Sequence, residues 1–279
     1  MRPRELPPPD LPEEQELVPY EASRFEAKRV LVLAPHPDDE VFGCGGALAN
    51  LAARGAAVDV LLVTDGAAGA SDDESRRAIA ARRAGESREA LGILGGGSVH
   101  EGGFRDRGLG GARAALEDLV ATWLAKTSPD LVFAPSPVET HPDHRAVAYA
   151  LFALARRPAS DAGAAARARA TVAFFEISQP FRPNFLFDLT PVLERKRKAV
   201  RAFVSQAAER DYAGFVDGLN AYRRLTLPPG ALAVEAFAVF PGSLLTRPAA
   251  VLAALLPLAP RVPLSFLERV AVLFSGRLR

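Results

Sequence analysis

The stretch RVLVLAPHPDDEVFGCGG, residues 29–46, decides how the chain is read. RVLVLAP (29–35) is short, apolar and β-branched and ends on proline, which predicts a buried strand. His36, Asp38, Asp39 and Glu40 follow within five positions. Buried carboxylates are costly unless they are paired or bound to a cation, so this crowding at a strand end points to a site. The next residues, 40–55, predict a helix that closes at Gly55.

Outward from there, strands and helices alternate. AVDVLLVTDG (57–66) reads as a strand and 73–94 as an Ala- and Arg-rich helix. The glycine-rich segment 95–111 reads as a loop around a short strand. A helix over 112–130, stopped at Pro129, leads to the apolar strand LVFAPSP (131–137). HPDHRAVAYALFALARR (141–157) is a turn feeding a helix, and the Ala/Arg stretch to about 170 extends it or forms a mobile loop. TVAFFEIS (171–178) and ALAVEAFAVF (231–240) read as strands, with a helix over 191–206 between them. Strands apolar on both faces and alternating with helices predict an α/β fold: a Rossmann-like, three-layer α/β/α domain with a mostly parallel sheet. Such sheets bind ligands at the carboxyl ends of their strands.

The chain has 279 residues, 49% of them hydrophobic, and a net charge of +1. That composition supports one large domain and offers no footprint for nucleic acid. One cysteine, Cys44, excludes an internal disulfide, and a cytoplasmic, reducing compartment fits. The opening residues 1–21 lack the apolar stretch expected of a secretory signal, and no apolar run of about 18 residues suggests a membrane span. Residues 1–27 read as a proline-rich N-terminal arm.

Three of the four histidines fall in two related motifs, HPDDE (36–40) and HPDH (141–144). His36 and Asp39 are three apart, as are His141 and His144, a spacing that puts both side chains on one side of a helical first turn. Zinc takes nitrogen and carboxylate ligands and in catalytic sites keeps one position open. Any three of these groups can form a His₂Asp site. One HPD motif alone reads as a helix cap; two copies after apolar strands read as one shared metal site. The glycines of GCGGAL lack the third glycine of a dinucleotide loop. Cys44 reads as a buried small residue, His100 as a surface histidine, Trp123 as core and ERKRK (194–198) as a solvated helix face.

With these residues in view, the chain resembles the PIG-L/LmbE-type zinc-dependent N-deacetylases over about residues 28–243. APHPDDEVFGCGG and HPDHRAVA match the two metal motifs of that family. VTDG, RAGE with ALGI, FRDRGL, KRKAVRAFVSQ and VEAF follow in the family's order. The resemblance implies His36, Asp39 and His144 as ligands of Zn2+ or another divalent metal. It implies Asp38 as general base, His141 as acid or electrostatic partner, and Arg83 and Asp106 as contacts to sugar hydroxyls. Glu40 can brace a histidine, and Asp143 can brace His141, or each can cap its helix. The activity implied is hydrolysis of an N-acetyl or short acyl group from an N-acetylglucosamine-type amino-sugar conjugate, a small-molecule partner. The alternatives are a metal-dependent hydrolase acting on another small molecule, such as an antibiotic intermediate, and a non-catalytic sugar-binding protein. The tail 244–279 lies beyond the resemblance. It is apolar with arginine rims, and is expected to pack on the domain or a subunit of a homo-oligomer, or to make peripheral membrane contact.

Overall fold

The structure is a computed structural model and describes residues 14–158 and 169–256. Its strands are β1 (Arg29–Ala34), β2 (Ala57–Thr64), β3 (Ser98–Phe104), β4 (Leu131–Pro135), β5 (Thr171–Phe175), β6 (Phe185–Asp188) and β7 (Val234–Pro241). The helices are α1 (Glu14–Leu17), α2 (Asp39–Ala53), α3 (Asp73–Leu94), α4 (Arg113–Thr127) and α5 (Pro142–Ala155). They continue with α6 (Leu193–Arg201), α7 (Val204–Ala207), α8 (Tyr212–Tyr222) and α9 (Pro248–Leu255).

The seven strands form one sheet in the order β3-β2-β1-β4-β5-β7-β6. The pairs among β1 to β5 are parallel, whereas β7 runs antiparallel to both β5 and β6. Alternation along β1 explains the layers. Val30, Val32 and Ala34 face the core under α2, α3 and α6. Leu31 and Leu33 face the opposite core under α4, α5 and α9. The chain leaves β1 toward β2 and β3 on one side, and β4 lies on the other. That reversal opens a crevice at the carboxyl ends of β1 and β4, where α/β sheets bind ligands.

Two regions differ from the sequence reading. The segment 179–190 contributes β6, and residues 209–223 contribute α8. The arm is not wholly peripheral: Phe25 is buried and stacks on Phe185 at 4.1 Å between ring centres, with Phe133 and Phe237 at its edge. Of the tail, residues 244–256 lie against the domain, with Leu245, Val251 and Leu255 buried in the core under α5. Residues 1–13, the Ala/Arg stretch 159–168 and the remainder of the tail, 257–279, lie outside the described residues.

Helix α2 carries Asp39 and is kinked. Cys44 leaves helical geometry with φ −142° and ψ 17°. The amides of Gly46 and Ala47 are instead taken by Glu235, at 2.7 and 2.9 Å. Gly43 lets the kinked turn lie on β5, since a Cβ there would stand 2.2 Å from the Phe175 ring.

Candidate active site

The loop after β1 and the first turn of α2 present His36, Asp38 and Asp39; the turn after β4 and the first turn of α5 present His141 and His144. His36 Nδ1, Asp39 Oδ2 and His144 Nε2 converge. Each of the three atoms is 3.2 Å from the other two. A tetrahedral centre with bonds of about 2.0–2.1 Å separates its donor atoms by about 3.3 Å, so this triangle matches one face of a zinc coordination sphere. Two imidazole nitrogens and one carboxylate also suit zinc better than calcium or magnesium.

The far side of the His36 ring is held by acids. Nε2 lies 3.3 Å from Asp106 Oδ1 and 3.5 Å from Asp143 Oδ2. Asp143 is anchored in turn by the amides of Arg107 and Leu109, at 2.6 and 3.3 Å. The Asp143 carboxylate thus faces His36, and its amide meets His141. His141 is the N-cap of α5, and its Nδ1 accepts the Asp143 amide at 3.2 Å. That bond leaves Nε2–H as the donor of a neutral His141 ring.

Charge in the cluster follows from burial and neighbours. Burial opposes a charge on His36, but Asp106, Asp143 and Asp39 outweigh it and hold the ring well above the ordinary histidine range. Burial likewise works against His144, yet Asp39 and Glu139 push it up to about 9. Burial would raise Asp39, and the two imidazoles more than reverse it, holding that carboxyl well below its usual range. Without a metal, protons on the imidazoles supply the positive charge that a bound cation would replace. His141 is only half-buried; its burial and the charges on His36 and His144 hold it below the usual value, which favours the neutral ring.

Asp38 sits at φ 128°, a conformation rare outside glycine. Three groups hold it there. Its amide donates to Glu40 Oε2 at 3.0 Å, so Glu40 braces Asp38 rather than a histidine. Its carbonyl accepts from the amides of Val41 and Phe42, each at 2.9 Å. Its carboxylate takes Arg83 at 2.9 Å. Burial pushes the Asp38 carboxyl up to about 8, against the pull of Arg83, and pushes Glu40 up to about 7.

Arg83 bonds this same turn. It is buried, 7% exposed, and its guanidinium also donates to Gly66 O at 2.6 Å and Pro37 O at 2.7 Å. Its guanidinium is engaged by the 37–38 turn and Gly66 O, an arrangement that holds Asp38. Gly66, at φ 62°, is needed for this, because a Cβ there would come within 2.6 Å of the guanidinium. Asp106, by contrast, lines an open groove of about 450 Å³ together with Asp65, Ser71, Asp73, Arg76 and Arg105.

Other expectations sort by burial. Cys44 is buried, with its thiol on Glu40 O, and takes no part in the triangle. His100 is partly buried, bonded to Asp59 at 2.8 Å and packed on Trp123. ERKRK is not a uniformly solvated face: Lys196 is 1% exposed and bonds Glu235, Asn220 and Phe42 O. Glu139, unremarked in the sequence, is buried beside His144, with Oε2 3.6 Å from Nδ1.

A sequence profile of the PIG-L family, described as GlcNAc-PI de-N-acetylase, matches residues 31–155. The diacetylchitobiose deacetylase of Thermococcus kodakarensis is 35% identical over 196 residues, 66% of this chain and 72% of that protein. The chain belongs to the PIG-L family. The 2'-N-acetylparomamine deacetylase of Streptomyces fradiae is 32% identical over 140 residues, 43% of this chain and 50% of that one. Among solved structures, the N,N'-diacetylchitobiose deacetylase from Pyrococcus horikoshii superimposes with a TM-score of 0.66 at 28% identity. The match covers 78% of this chain and 86% of that one. As a PIG-L family member the protein is an enzyme, a hydrolase with deacetylase activity. Such deacetylases are metal-dependent, and the clustered His and Asp side chains offer a site for the ion. No helix among the described residues is long and apolar enough to cross a membrane.

Proposed function

We propose that the protein is a zinc-dependent deacetylase that hydrolyses the N-acetyl group of a small N-acetylglucosamine-type conjugate. The observation that carries this is the closed triangle of His36 Nδ1, Asp39 Oδ2 and His144 Nε2, each 3.2 Å from the others, with Asp38 and His141 beside it. Those three atoms would hold the metal. Bound there, zinc would acidify the attacking water and polarise the acetyl carbonyl.

The chain's own groups do the rest. Asp38, next to a ligand and bonded to Arg83, would be ionised once a cation is bound, and takes the proton of the attacking water as the oxygen adds to the acetyl carbon. His141 Nε2–H, from a neutral ring whose Nδ1 is already engaged, donates to the oxygen that becomes negative. The C–N bond then breaks, and Asp38 returns its proton to the departing amine. Acetate and the free amino sugar result, the amine taking up the proton that the acetic acid loses, and the base is restored. His141 thus serves as the electrostatic partner of that oxygen. Asp106, which lines the groove, would accept from a sugar hydroxyl.

The test is release of free amine from a panel of N-acetylglucosamine conjugates by zinc-loaded protein, with and without a chelator. The proposal expects amine release that stops on chelation and returns with zinc. No release from any member of the panel, or release indifferent to chelation, rejects it.

A further inference from the structure

Glu139 is a buried carboxylate that the chemistry above leaves unused. It lies between β4 and α5, 1% exposed. One side of it gathers the loop after β5. Oε1 accepts the amides of Ile177 at 2.7 Å, Ser178 at 3.1 Å and Gln179 at 3.3 Å. Oε2 accepts the Ser178 hydroxyl at 2.6 Å and its amide at 3.2 Å. The other side faces the site, where Oε2 is 3.6 Å from His144 Nδ1. That nitrogen is buried and has no other hydrogen-bond partner, so Glu139 is the acceptor that its N–H faces. The backbone amides, the Ser178 hydroxyl and His144 together hold the buried carboxylate ionised.

We infer that Glu139 is a positioning residue that fixes the tautomer of His144, keeping the proton on Nδ1 so that the Nε2 lone pair faces Asp39 and His36. The inference rests on the metal reading above. Its chemical basis is that ligating histidines commonly donate their second nitrogen to a carboxylate, which sets tautomer and orientation. Glutamine at 139 reverses the preference. Its single carbonyl oxygen is claimed by the amides of the loop. Its NH₂ then meets Nδ1, which must become an acceptor and send the proton to Nε2, the atom that would bind metal.

The experiment measures Zn2+ affinity of the full chain by competition with a chelating dye, for wild type, Glu139→Gln and Ser178→Ala. Loss of an outer partner of a metal ligand costs about 10–100-fold in affinity, and that is the weakening expected for Glu139→Gln. Ser178→Ala removes a loop contact but leaves the Glu139 carboxylate beside His144, so its affinity should match wild type. Unchanged affinity in Glu139→Gln, or equal weakening in Ser178→Ala, overturns the inference while leaving the metal reading intact. A wild-type chain that binds no zinc overturns both. Should Glu139→Gln fail to fold, histidine-labelled, zinc-loaded wild type reports the same contact by proton NMR. The His144 Nδ1 proton should be slow to exchange and shifted downfield by the carboxylate; fast exchange with solvent contradicts the inference.

Discussion

Replacing Arg83 separates a positioning role from a sugar-binding one. The guanidinium spans three acceptors, Gly66 O, Pro37 O and Asp38 Oδ2, at 2.6, 2.7 and 2.9 Å, using two different nitrogens. In Arg83→Lys a single ammonium cannot occupy both nitrogen positions, so at least one of these charged hydrogen bonds is lost, worth about 1.5–3 kcal/mol. Asp38 already sits at an unfavourable φ of 128°, and its carboxylate would be free to turn. If that loss is felt in the transition state, kcat falls about 10–100-fold. Arg83→Ala additionally leaves a buried carboxylate without its partner, which costs about 3–5 kcal/mol of folding stability, readable by urea unfolding. The assay is steady-state amine release from an N-acetylglucosamine conjugate and from a sugar-free acetanilide. The positioning role predicts a lower kcat on both substrates with KM little changed. A raised KM on the sugar, with kcat intact and the acetanilide turned over normally, would refute it and favour the sugar contact.

Two further substitutions probe the base and the kink. Asp38→Asn should bind zinc as wild type does yet lose about 10²–10⁴-fold in kcat, the usual contribution of a general base; metal analysis and kinetics on the same sample check it, and near-normal kcat moves the base elsewhere. Lys196→Met should destabilise the fold by about 3–5 kcal/mol in urea, because Glu235 stays buried at the kink of α2 without its cation. Wild-type stability in that variant would mean that the two backbone amides on Glu235 suffice.

The parallel half of the sheet was legible because β1, β2, β4 and β5 are short apolar runs, each followed by a turn or a cluster of polar residues. The edge was less so. β6 is four residues long, Phe185–Asp188, and lies among prolines and turn residues that mask its alternation. The two motifs fall at the carboxyl ends of neighbouring strands, and the structure brings His36, Asp39 and His144 together; the family resemblance singled out these three, since His36 lies before α2 and shares no helical turn with Asp39. What remained hidden depended on contacts far along the chain. Nothing in the period of α3 distinguishes buried Arg83 from exposed Arg82 beside it; the difference is made by Pro37, Asp38 and Gly66. Glu139 sits in a turn, where no periodicity reports burial. Lys196 did carry a signal. Leu193, Lys196, Ala199 and Val200 are the buried stripe of α6, so the lysine occupies a core position and needs a buried acid, which VEAF supplies as Glu235.

The central claim is the place of the metal, and an anomalous difference map at the zinc edge from zinc-soaked crystals tests it most directly. The account predicts one strong peak within about 2.0–2.2 Å of His36 Nδ1, Asp39 Oδ2 and His144 Nε2, with Asp38 and His141 outside bonding distance. The second cluster, around His36 Nε2 with Asp106 and Asp143, offers the competing position. A peak there, or none at the triangle at saturating zinc, would contradict the account.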